Sequence, residues 1–159
     1  TVARLAADIR KEYSGKNPVL VGVLKAAYVF LADMSRELQI PHDVDFIQTS
    51  SYGKTTSPKD SVNVVKDITT DIRGRDVVIV EGIVDRGLTA CAILGHLEKK
   101  GASSVKLCTL LLREGRAGAV IKPDFFGMIV KEGFIAGYGM DFKEGLRGLD
   151  GIYVVKQVP

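Results

Sequence analysis

Apolar and polar positions fall into blocks whose period changes along the chain. Val2, Leu5, Ala6 and Ile9 share one face at helical spacing, which predicts an amphipathic helix over 2–13 with Gly15 as its stop. VLVGVL at 19–24 is an unbroken branched-apolar run between Pro18 and Lys25, the pattern of a strand buried on both faces. AAYVFLADMSREL at 26–38 predicts a helix that ends before Pro41, and DVDFI at 43–47 alternates like a strand. An apolar run resumes at 62–65, further strands are predicted at 77–80, 105–112, 124–130, 134–139 and 152–155, and a helix is predicted over 90–100, stopped by Gly101.

Strands alternating with helices predict an α/β fold, a doubly wound parallel sheet with helices on both faces. In such sheets ligands bind beyond the carboxyl ends of the strands, here residues 24–26, 81–89 and 112–114. One stretch stands apart. TSSYGKTTSPKDS at 49–61 is polar and aperiodic, and predicts a long functional loop.

The densest chemistry lies in VVIVEGIVDRGLTACAIL at 77–94. A strand runs into acidic residues, then a glycine-containing turn, then a helix start. Backbone N–H groups of such a turn and the helix N-terminus make a seat for an anion. Thr89 can cap the helix or donate to a phosphate. Glu81 and Asp85 repel phosphate and so are placed for ribose hydroxyls, a divalent cation or proton transfer.

Composition narrows the partners. The chain has 159 residues, of which 46% are apolar and 26% charged, enough for one domain with a real core. Twenty-two Lys and Arg against 19 Asp and Glu give +3, a mild excess that suits an anionic small molecule better than nucleic acid. The longest apolar region, 18–32, is broken by Lys25, so no membrane span is expected. No secretory leader is expected either, since Arg4 and Asp8 interrupt the start. Cys91 and Cys108 are expected to be buried, and two cysteines fit a reducing cytoplasm. His42 and His96 lie far apart, which argues against zinc.

Segment 77–94 resembles the phosphoribosyl pyrophosphate-binding motif of type I phosphoribosyltransferases. LVGVLKAAYVFLADM at 20–34, VDFIQTSSYG at 44–53, KPDFFG at 122–127, GFIAGYGMDF at 133–142 and LRGLDGIYVV at 146–155 complete, in order, a resemblance to the hypoxanthine-guanine phosphoribosyltransferase family. The resemblance implies one domain over 1–159, a mobile catalytic loop at about 50–65 and a small hood built largely from 113–159. It implies a cytoplasmic purine-salvage enzyme, a homodimer or homotetramer, with no nucleic-acid or membrane partner. Hypoxanthine or guanine would displace pyrophosphate from phosphoribosyl pyrophosphate to give IMP or GMP.

The site residues follow from the same resemblance. Asp85 matches the catalytic acid that manages the proton on purine N7. Glu81 matches the ribose ligand, and Gly82 with Asp85, Arg86, Gly87, Leu88 and Thr89 the rest of the ribose and 5′-phosphate seat. Leu24, Lys25, Ala26, Ser51, Tyr52 and Arg147 match the pyrophosphate contacts. Arg113, Phe134, Ile135 and Asp141 match the purine contacts. Mg2+ is the implied cofactor, held mostly by substrate oxygens, with Glu81 and Asp141 as protein ligands.

Three positions depart from the family pattern. Gly82 stands where a second acid is usual, Arg86 where a small hydroxyl residue is usual, and Arg113 where a lysine is usual. An active enzyme, with activity reduced by Gly82 and Arg86, is the first reading. The alternative is a catalytically impaired nucleotide-binding or regulatory member of the same fold. Without the resemblance, Phe134 reads as core, and Arg113 and Arg147 as surface charges.

Overall fold

Strand β1 (Val19–Leu24) lies at the middle of a six-stranded sheet in the computed structural model, which describes residues 1–51, 62–114, 118–131 and 133–156. On one side of β1 lie β2 (Asp43–Ser51) and β3 (Val62–Lys66). On the other lie β4 (Asp76–Val84), β5 (Ser104–Arg113) and β6 (Phe125–Val130). Every neighbouring pair is parallel except β2 and β3. No described helix is long and apolar enough to cross a membrane.

Helices cover both faces. On one, α1 (Val2–Glu12) and α2 (Tyr28–Leu38) bury Leu5, Ile9, Phe30, Leu31 and Met34 against Leu20, Val78 and Val80. On the other, α3 (Leu88–Lys99) buries Ile93 and Leu97 against Val21, Val77 and Ile79. Each fully buried Leu or Ile contributes about 1.5–3 kcal/mol, so the two aliphatic layers are the main stabilising term. The fit is closest at Gly22, where a Cβ would stand 2.6 Å from the Leu31 side chain. A side chain there would lift α2 off β1. Arg10 ties the two helices on that face, donating to the Leu38 and Glu37 carbonyls at 2.9 and 2.7 Å. Those are the orphan acceptors at the end of α2.

Tertiary pairing revises several expectations. Residues 49–51, read as the start of the polar loop, are strand, and they pair with the far end of the loop expected at about 50–65: Thr49 with Val64, Ser50 with Asn63 and Ser51 with Val62. Their order comes from the neighbouring strand and not from apolar periodicity, which is why the sequence hides it. Most of the polar run lies outside the described residues. Strand β6, expected within the hood, belongs to the main sheet. Among the described residues a second sheet forms from β7 (Phe134–Ala136) and β8 (Tyr153–Val155), which pair antiparallel. The strand predicted to reach residue 139 stops early because Gly137 and Gly139 take φ of +95° and +97°. Cys108 is buried as expected, but Cys91 is exposed.

Strand β4 is longer than its apolar run, and this sets the site's electrostatics. Val77 and Ile79 face one core and Val78 and Val80 the other. Beyond Glu81–Gly82 the alternation slips, so that Ile83 packs with Val78 and Val80 while Val84 packs with Val77 and Ile79. Glu81 therefore sits inside the strand, only 7% exposed. Burial pushes its carboxyl from 4.5 up to about 8, opposed in part by the Gly82 and Ile83 N–H groups. A carboxyl raised in this way stabilises the fold below its unfolded value. That contribution fades as pH rises through the folded value. Glu81→Gln is expected to melt roughly 5 °C above the parent at pH 8 without ligand, with the gap closing toward pH 5. A gap that is the same at both pH values in a thermal-melt series would show that Glu81 does not titrate in this range.

Candidate active site

Because β1, β4 and β5 are parallel, Leu24, Val84 and Arg113 end at one edge of the sheet. Beyond β4 lies a cavity of about 240 Å³ lined by Glu81, Asp85, Arg86, Gly87, Leu88 and Thr89 among others. Gly87, not Thr89, is the N-cap of α3, so the helix begins at Leu88 and Thr89 lies in its first turn. No side chain caps the helix, which leaves its first amides to a ligand at the positive end of the dipole. Gly87 has φ +81°, and a Cβ there would stand 2.3 Å from Ile121. Only glycine fits both the turn and its cover. The Val120 N–H donates to the Arg86 carbonyl at 3.0 Å and holds that cover down.

A second cavity, about 190 Å³, is lined by Ala26, Ile83, Arg113, Phe134, Ile135, Met140 and Asp141. Ile83 lines both cavities, so the two meet. Phe134 is 51% exposed at this cavity, with its ring edge-to-face on Phe142 at 5.1 Å. It is not a core residue, and its face is open to a flat ligand. Ile135 is buried beside it.

Arg113 is also not a surface charge. Its side chain is 10% exposed, and its Nε lies 3.9 Å from an Asp85 carboxylate oxygen. Its Nη1 donates to the Gly133 and Lys131 carbonyls at 3.1 and 3.4 Å. One guanidinium thus joins the acid of the first cavity to the backbone that carries Phe134. A lysine ammonium has no such planar fork.

The third group lies where β1 runs out. The Leu24–Lys25 peptide is cis, and Ala26 packs under Gly82 and Gly139. A Cβ on Gly82 would stand 3.2 Å from the Ala26 carbonyl oxygen, and one on Gly139 2.5 Å. Lys25 pairs with Glu144 at 3.0 Å. Arg147, at 17% side-chain exposure, pairs with Asp141 at 2.8 Å and approaches Glu144 at 3.5 Å. It also donates to the Gly139 carbonyl at 2.9 Å. The hydrogen bond and charge of Lys25, then those of Arg147, hold the Glu144 carboxyl below its usual range. Glu144 carries no motif, and only the folded chain brings it to Lys25, 119 positions away.

The structure therefore gathers Lys25, Ala26, Glu81, Asp85, Arg113, Phe134, Asp141 and Arg147 at one edge. The Ser51 side chain and all of Tyr52 lie outside the described residues. Glu81 and Asp141 line different cavities. Among the described residues no three His, Cys, Asp or Glu side chains cluster as a metal cage.

Known proteins share this arrangement of elements. A family model for the phosphoribosyl transferase domain matches residues 1–143. The hypoxanthine phosphoribosyltransferase of Salmonella typhimurium is 40% identical over 159 residues, covering 99% of this chain and 88% of the relative. The hypoxanthine-guanine phosphoribosyltransferase of Bacillus subtilis is 38% identical over 155 residues, 98% of this chain and 86% of the relative. A crystal structure of a hypoxanthine-guanine phosphoribosyltransferase from Bacillus anthracis, with HEPES in its active site, superposes with a TM-score of 0.93. It is 35% identical, and the match covers 98% of this chain and 91% of that one. With the type I sheet order, the phosphate-type turn and this likeness in hand, the chain belongs to the hypoxanthine-guanine phosphoribosyltransferase family.

Proposed function

We propose that the chain transfers the phosphoribosyl group of phosphoribosyl pyrophosphate to a 6-oxopurine, releasing pyrophosphate. The observation that carries this reading is the junction of the two cavities at Ile83, with the Asp85–Arg113 pair between them. An anion seat beside an apolar slot with an open aromatic face suits a phosphorylated sugar and a flat base. The 5′-phosphate would take the α3 amides and the turn at Arg86 to Thr89, and Glu81 the ribose hydroxyls. The base would lie on Phe134, with the Ile135 backbone at its edge and Arg113 donating to its 6-oxo group. Lys25 and Arg147, with Leu24 and Ala26 shaping the turn, would face the diphosphate. Ser51 and Tyr52 are proposed to cover it.

In the reaction, purine N9 attacks the anomeric carbon while the bond from that carbon to the pyrophosphate oxygen breaks. The electron pair leaves on pyrophosphate, and the proton on N7 passes to Asp85. Lys25 and Arg147 bear the charge that develops on the leaving group. Positioning of two substrates at the shared wall supplies the rest.

Glu81 and Asp141 fit Mg2+ as single hard-oxygen donors and not as a cage, since each lines its own cavity. A bound Mg2+ would withdraw charge from the diphosphate. Burial leaves Glu81 readily protonated without a cationic partner, which suits a group that meets ribose or metal only on binding. We further propose a cytoplasmic homodimer or homotetramer. The free thiols of Cys91, exposed, and Cys108 support the reducing compartment.

A turnover assay with phosphoribosyl pyrophosphate, magnesium and each 6-oxopurine tests the reading. Nucleotide should form, and Asp85→Asn should slow it about 10²- to 10⁴-fold. Absence of product from folded protein with every base would leave the regulatory reading in its place. Arg113→Leu is expected to weaken base binding about 10- to 100-fold and to slow turnover as well, because it frees both Asp85 and the Phe134 backbone. An unchanged KM for base would remove Arg113 from the purine site. Arg86→Ser replaces the bulky guanidinium with the small hydroxyl usual at this position and should raise kcat/KM about two- to tenfold. A regulatory member would bind nucleotide and show no turnover before or after that change.

A further inference from the structure

We infer that Glu144 is a built-in competitor for the diphosphate: its carboxylate occupies Lys25 and Arg147, and the anionic substrate or product must displace it. This rests on the proposed role of those two cations. Glu144 spans them with one oxygen, 3.0 Å from Lys25 Nζ and 3.5 Å from Arg147 Nη2. An oxyanion between two cations is what a phosphate oxygen would be at the same place.

The carboxylate is presented by a tight turn and not by a loose tail. Phe142 and Gly145 exchange backbone hydrogen bonds at 3.0 Å, and the Glu144 N–H donates to Asp141 at 3.0 Å. Lys143, Glu144 and Leu146 all hold positive φ, so the turn has one shape. Arg147 keeps Asp141 and the Gly139 carbonyl when Glu144 leaves, so it stays aimed. The Glu144 side chain is 72% exposed and that of Lys25 57%, so the pair is screened by water and weak enough to open. Once a diphosphate is bound, the displaced carboxylate remains a like charge beside it. Glu144 thereby keeps pyrophosphate affinity low, which favours release of that product.

Equilibrium titration with magnesium pyrophosphate tests this on wild type and Glu144→Gln, with inosine 5′-monophosphate as the second ligand. The variant should bind pyrophosphate roughly three- to tenfold more tightly, with IMP affinity within about twofold of wild type. In a Lys25→Gln background the gain from Glu144→Gln should shrink, since one of the two contested cations is gone. Pyrophosphate binding that is equal or weaker in Glu144→Gln, with wild type binding normally, would overturn the competitor role alone. An equal tightening for both ligands would also overturn it, because a general structural effect would then suffice. No pyrophosphate binding by wild type would remove the Lys25–Arg147 subsite itself, and the competitor with it.

Discussion

Parallel hydrogen bonding among β1, β4 and β5 is the constraint on which the rest depends. Parallel neighbours run in the same direction, so their carboxyl ends meet at one edge however far apart they lie in the chain. The registers Val19 with Val77 and Asp76 with Ser104 fix which residues meet there. Lys25, Asp85 and Arg113 reach one site because each follows or ends a strand of this set. The two aliphatic layers hold those strands against α1, α2 and α3, and so keep the edge in place.

Charge at that edge is matched by pairing. Lys25 and Arg147 rest on Glu144 and Asp141, and Arg113 lies by Asp85. The exception is Glu81, whose burial favours the neutral form until something polar or cationic reaches it.

The three departures from the family pattern have different structural meanings. Gly82 is packed on Ala26, so a larger side chain there would bear on the turn that leads from Lys25. Arg86 is exposed at the cavity beyond β4 and leaves the packing of the turn to Gly87 and Ile121. Arg113 alone builds something new, a planar link from Asp85 to the Gly133 and Lys131 carbonyls. Where a lysine would offer a point charge, the guanidinium is a brace between Asp85 and the backbone that leads to Phe134.

Periodicity and turn chemistry alone determined the sheet's apolar strands, the helices and the turn before α3, because burial on one or two faces leaves a local mark in residue type. The resemblance of whole segments added Phe134, Asp141 and Arg147, which no local pattern singles out, and gave Lys25, at a predicted strand end, its role. Tertiary structure decided the rest. The strand at Thr49 to Ser51 exists because β3 pairs with it, and the shorter β7 because glycines bend the chain away. Phe134 is open and Arg113 enclosed, the reverse of what their residue types predict, because exposure depends on the packing of distant segments. Glu144 became visible only in the fold, since an ion pair across 119 positions leaves no periodic trace in either partner.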